Sequence, residues 1–164
     1  MRLALDQAVI ALNDGDAPIG CVVVDARGNV LGEGCNTMRS TGSVVAHAEI
    51  NAFASCGALQ KAGVDLHLIS TLEPCVMCTG AAMESGVSHI VYALSAPADS
   101  GTTRVSPPES PGASEPVVTG GILADASRLL FERWLQIHRN DASRDEQRAF
   151  IEQLLELNAE SVLP

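Results

Sequence analysis

Residues 71–83 read TLEPCVMCTGAAM, and the reading of this stretch decides what kind of chain the rest can be. The apolar run DLHLISTL (65–72) stops at Glu73–Pro74, and a segment of small residues follows. Proline suits the first turn of a helix, where its missing N–H removes no bond. The order therefore predicts a strand that turns directly into a helix, with Cys75 and Cys78 at the helix start. There both sulfurs can converge on one point, and helix-terminal N–H groups favour the thiolate form.

Working outward, VVAHAEINAFASCGAL (44–59) has the length and alanine content of a buried helix, with His47 and Glu49 near its start. IGCVVVD (19–25), the turn ARGN and VLGEGCN (30–36) read as a hairpin. Ahead of it, apolar spacing predicts a helix from about Leu3 to Leu12, ended by the turn residues NDGDAP. SHIVYAL (88–94) is a fourth strand. Residues 96–115, APADSGTTRVSPPESPGASE, lack periodicity and predict a long flexible loop. PVVT (116–119) adds a short strand and ILADASRLLFERWLQIHRN (122–140) a helix. A final helix within 141–164 starts at SRDE, where Ser143 and Glu146 have capping-box spacing. Its apolar stripe is Phe150, Ile151, Leu154, Leu155 and Leu157, a face that predicts a contact with another copy of the chain. Helices alternating with strands give an α/β layered domain, and 164 residues suit a single one.

Composition narrows the function. Twenty acidic residues against ten basic ones, with Lys61 the single lysine, give a net charge of −10. Phosphate contacts supply much of nucleic-acid affinity, so this balance argues against a polynucleotide partner. No apolar run reaches the roughly 18 residues of a membrane span. Five cysteines, of which only Cys75 and Cys78 have motif spacing, point to reduced thiols and a cytoplasmic setting rather than a disulfide framework. Cys21, Cys35 and Cys56 read as ordinary partly buried thiols.

A structural zinc site wants four protein ligands. Here His47 is the best third donor beside Cys75 and Cys78, and three ligands leave one position open, the catalytic pattern. Glu49 is the matching proton carrier. Two residues apart on a regular helix, His47 and Glu49 diverge by about 200°. They can share a cavity only if the helix end abuts it.

The order H-x-E…P-C-x-x-C is the signature of zinc-dependent deaminases. With APIGCVVVD (17–25), GEGCN (32–36), AHAEINAF (46–53), TLEPCVMCTGA (71–81) and GGILAD (120–125), the chain resembles the cytidine/deoxycytidylate deaminase superfamily. The resemblance is to the branch of tRNA adenosine deaminases, guanine deaminases and fungal cytosine deaminases. It implies a three-layer α/β/α fold on a mixed sheet of about five strands, and a homodimer or larger assembly. It also implies zinc held by His47, Cys75 and Cys78, Glu49 as proton shuttle, Asn36 against the substrate base, and the Glu73 carbonyl near the leaving amine.

The tRNA branch carries an A-R-D-x-K-T-G-A type segment after its fourth strand. Here that place reads ALSAPADSGTT (93–103), and a basic tail is replaced by DEQRAFIEQLLELNAESVLP (145–164). The expected substrate is thus a small nucleobase, nucleoside or related amino-heterocycle, cytosine-type ahead of the others, with adenosine-34 of tRNA as the alternative. A non-catalytic binding subunit is the second alternative, and an intact Glu49 speaks against it. Trp134 reads as a packing residue or a pocket-closing one. His67, His89 and His138 read as surface or satisfied core positions.

Overall fold

A computed structural model of the chain describes residues 1–57 and 65–159. Its elements are α1 (Arg2–Asn13), β1 (Gly20–Asp25), β2 (Val30–Cys35), α2 (Met38–Thr41), α3 (Ala48–Ser55), β3 (Leu66–Leu72), α4 (Val76–Glu84), β4 (Val87–Leu94), β5 (Val117–Thr119), α5 (Ala124–His138) and α6 (Asp145–Leu157). The strands form one mixed sheet in the order β2-β1-β3-β4-β5. β1 runs antiparallel to β2 and β3, while β3, β4 and β5 are parallel. The mixed five-stranded α/β fold is the expected one.

Alternation along the strands sends side chains to two cores. Cys21, Val23, Leu66, Leu68 and Ile90 meet Ala48 and Ala52 of α3 and Ala82 of α4. On the opposite face Val22 and Val24 pack with Ala4 of α1. Leu72 and Leu94 join Phe131 and Trp134 of α5 and Ile151 and Leu154 of α6. The glycines of LGEGC explain how α3 lies so close to β2. A Cβ at Gly34 would stand 2.3 Å from the Ala48 carbonyl oxygen, and one at Gly32 2.3 Å from that of Ala52. Larger residues there would push away the helix that begins behind His47.

Several expectations are corrected. Pro74 does not enter the helix: Cys75, with extended backbone, is the N-cap of α4, so the proline precedes the cap. The short helix α2 has no counterpart in the sequence reading. The capping box does not form, because Ser143 lies in a 3₁₀ turn (Ala142–Arg144) before α6. Its hydroxyl and amide both bond to Asp141 Oδ1 instead, at 2.6 and 3.0 Å. The stripe of α6 turns inward, with Ile151 and Leu154 fully buried on the chain's own α5 core, although Leu157 stays 48% exposed. The stripe is therefore covered by α5 of the same chain rather than left for a second copy. Trp134 is fully buried in the same cluster, as a packing residue. α3 spans Ala48–Ser55 rather than 44–59: it starts behind the His47 cap and ends at Cys56, ahead of Gly57 with φ 66°, while residues 58–64, Lys61 among them, and the chain beyond Ala159 lie outside the described residues. Among the described residues, no helix is long and apolar enough to cross a membrane.

Candidate active site

His47 and Cys75 occupy equivalent places: each is the N-cap of a helix with extended backbone (ψ 155° and 174°). A capping residue projects its side chain before the helical twist begins. The 200° divergence expected for His47 and Glu49 on a regular helix therefore does not arise. α3 and α4 aim their N-termini at one region, where unpaired N–H groups favour negative charge.

His47 Nδ1 lies 3.6 Å from both Cys75 Sγ and Cys78 Sγ. A tetrahedral zinc ion, with Zn–S about 2.3 Å and Zn–N about 2.0–2.1 Å, separates nitrogen from sulfur by about 3.6 Å. The donor set and spacing fit such an ion. The Cys78 thiol beside it is the main reason the Cys75 thiol drops to about 4. Cys75 in turn, with burial, pushes Cys78 up. The bond to Cys75 raises His47.

Glu49 is 4% exposed and sits in the first turn of α3. Burial raises its carboxyl above the usual range, partly offset by the Ser70 hydroxyl, which donates to Oε1 at 2.7 Å. Ser70 points at Glu49 because it lies on the α3 face of β3, in step with Leu66 and Leu68. Asn36, 2% exposed, follows β2 directly; its Nδ2 reaches the Ala17 carbonyl at a long 3.5 Å. The loop ahead of His47 is fixed by Asn51, whose Nδ2 donates to the Cys35 carbonyl at 2.8 Å and to Thr37 Oγ1 at 3.0 Å.

Asn36, His47, Glu49 and Cys75 border one cavity of about 240 Å³, with Ala17, Ile19, Met38, Ala48 and Leu72. Cys78 lies behind it, fully buried. Four further side chains line it without a pocket role in the sequence reading: Glu73, of which only the carbonyl was assigned, Asp99, Gln147, and Phe150, which was placed on the α6 stripe. Gln147 and Phe150 stand one helical turn apart on α6, which thus covers the pocket. Asp99 belongs to the 96–115 loop. That loop is anchored at its start, because the Glu73 carboxylate accepts from the Ala96 amide at 3.0 Å and from the hydroxyls of Ser100 and Thr102. A Cβ at Gly101 would stand 2.4 Å from the Cys75 carbonyl oxygen, so only glycine lets the loop pass there. Buried Asp16 accepts from the amides of Arg39 (2.7 Å) and Ser40 (3.1 Å) and so holds α2, which presents Met38. Of these, only the i, i+3 spacing of Gln147 and Phe150 left any trace in the sequence.

The family model of the cytidine and deoxycytidylate deaminase zinc-binding region matches residues 1–94. The chain is 38% identical over 146 residues to a tRNA(Ile)-lysidine synthase of Deinococcus radiodurans, covering 87% of this chain and 25% of that protein. It is 36% identical over 92 residues to the cytosine deaminase of Candida albicans, covering 56% and 61%. A structure from work on A-to-I editing by tRNA:A34 deaminases at the wobble position of transfer RNA superposes with a TM-score of 0.66 at 30% identity, covering 79% of this chain and 96% of that one. The chain thus spans about a quarter of the lysidine synthase and about three fifths of the cytosine deaminase. It belongs to the cytidine and deoxycytidylate deaminase family.

Proposed function

We propose that this family member is a hydrolytic deaminase that replaces an exocyclic amino group of a small nucleobase, nucleoside or related amino-heterocycle and releases ammonia. One observation carries the reading: a buried carboxylate, Glu49, stands beside a His/Cys/Cys donor set at the floor of a pocket the size of a single base. We assign His47, Cys75 and Cys78 to zinc, which when bound supplies a Lewis acid and activates water at neutral pH. Glu49 takes the proton released from the attacking water and returns it to the departing nitrogen. With Oε1 held by Ser70, Oε2 is the atom that carries the proton. Asn36 supplies an amide edge at the pocket wall to hydrogen-bond the ring. A neutral base desolvated in a mostly apolar pocket is oriented by those few polar groups.

Size and charge favour a small substrate. A cavity of about 240 Å³ lies below the roughly 300–1,000 Å³ of drug-sized pockets. His47 is its one basic lining residue, against Glu49, Glu73 and Asp99. A phosphate there would face three acidic side chains. Similarity to the cytosine deaminase of Candida albicans supports a cytosine-type base as first choice. The tRNA reading draws support from the named tRNA relatives, and it must overcome a net charge of −10. Retention of a buried, Ser70-bonded Glu49 argues against a purely binding role.

Ammonia release across a panel of free bases and nucleosides, run beside inosine analysis of unmodified tRNA carrying adenosine-34, tests the proposal. The expected result is turnover of at least one small amine and no inosine. Inosine in the RNA with every small amine untouched would transfer the assignment to tRNA.

A further inference from the structure

We propose a second divalent-cation site, formed by Asp65, His67 and His89 at the opposite end of the sheet from the pocket. His67 and His89 are Cα partners across the parallel β3–β4 pair, so both imidazoles leave the same face of the sheet. Their ring centroids are 4.5 Å apart. One donor atom from each of the three residues lies within 4.8 Å of the others. β3 carries its C-terminal end toward Glu73 and Cys75, so its length of about 20 Å separates the two donor sets. The proposal is independent of the deaminase reading.

Two details point to a ligand rather than to a chance meeting of side chains. Among the described residues, His67 Nε2 is shielded from solvent without a hydrogen-bond partner, although its ring is 28% exposed. Asp65 Oδ2 stands 3.6 Å from it, beyond hydrogen-bond reach. The second detail is Ser88, whose hydroxyl donates to Asp65 Oδ1 and stands 2.9 Å from His89 Nδ1. With its proton committed to Asp65, the serine oxygen accepts from His89 Nδ1–H. That tautomer leaves the lone pair of His89 on Nε2. A hydrogen bond that orients an imidazole and selects its free nitrogen is the usual support behind a metal ligand. Two imidazoles and one carboxylate suit zinc, copper or nickel, not magnesium or calcium. A bound ion would clip the N-terminal ends of β3 and β4 to Asp65.

The test uses the whole chain loaded with one equivalent of zinc, then titrated with Zn²⁺ alone at pH 7.5 by calorimetry and by metal analysis after equilibrium dialysis. Wild type is expected to take a second equivalent. His67→Ala and His89→Ala should lose it while keeping the first and their ammonia-releasing activity. Cys75→Ser should lose the first and keep the second. Ser88→Ala, which removes no ligand, should weaken the second site about 10–100-fold, and it serves if a histidine variant fails to fold. Wild type saturating at one zinc would overturn the site. So would a second equivalent that survives both histidine substitutions, or one indifferent to Ser88→Ala.

Discussion

Residues 1–94 and residues 95–159 supply different things to one pocket. The first part brings His47, Glu49, Cys75, Cys78 and Asn36, all at the ends of strands or the first turns of helices. The second brings Asp99, Gln147 and Phe150, from a loop and from the first two turns of α6. The family match covers the first part and stops at residue 94. On the proposed function, the reaction falls to the first part, which also supplies Asn36, and the second part adds to the substrate wall, a division we expect to separate rate from substrate choice. The reacting groups are fixed by backbone caps and buried hydrogen bonds, whereas Asp99, Gln147 and Phe150 sit on a loop and a helix outside the family match. A shared reaction with different amines among relatives is what such a division permits.

The comparison breaks most sharply at the donor set. Cys75→Ser should abolish turnover and lower zinc from about one per chain to a small fraction, since the remaining two donors cannot hold a three-ligand site. Metal analysis of the purified variant checks it, and undiminished zinc would undo the ligand assignment. Next comes Glu49→Gln, which keeps the shape and the Ser70 contact. It should retain zinc and lose about 10²–10⁴ in rate, read as ammonia release under saturating substrate. A rate near wild type would remove Glu49 from the mechanism.

Changes in the second part, or in Glu73 that anchors it, should be milder and of another kind. Glu73→Gln removes charge from three hydrogen bonds to the 96–102 segment and should cost about 1.5–3 kcal/mol of stability. Thermal unfolding measures that, together with faster proteolysis within the loop. Phe150→Ala should leave kcat nearly intact and raise KM about tenfold or more, the scale of a lost apolar contact in a substrate pocket. A collapse in kcat with KM unchanged would mean that the second part shares in the chemistry, and the division would fail. The smallest effect concerns assembly. Val44, Val45 and Val76, which are 76%, 50% and 49% exposed, flank His47 and Cys75 and offer the apolar surface that α6 does not. We expect a dimer by light scattering, and Val44→Asp should shift it toward monomer.

What could be read before any coordinates were known is local. β-branched runs, the hairpin turn, the Pro-Cys pair and the H-x-E spacing depend on neighbours within a few residues, and they predicted the sheet and its helices. They also singled out His47, Glu49, Cys75 and Cys78, whereas Asn36 came from the family resemblance. Some local expectations yielded to competing bonds: Asp141 captured Ser143 and dissolved the capping box, and the Cys75 cap kept Pro74 outside its helix. The tertiary structure alone decided which distant residues meet the site. Asp16, Glu73, Asp99, Gln147 and Phe150 carry no shared pattern, because their positions depend on how the loop and α6 close over the strand ends. The direction of the α6 stripe was equally invisible. An apolar face specifies burial, since burial depends only on area removed from water, and it does not specify the partner. The fold supplied α5 of the same chain, and in doing so set Phe150 over the pocket.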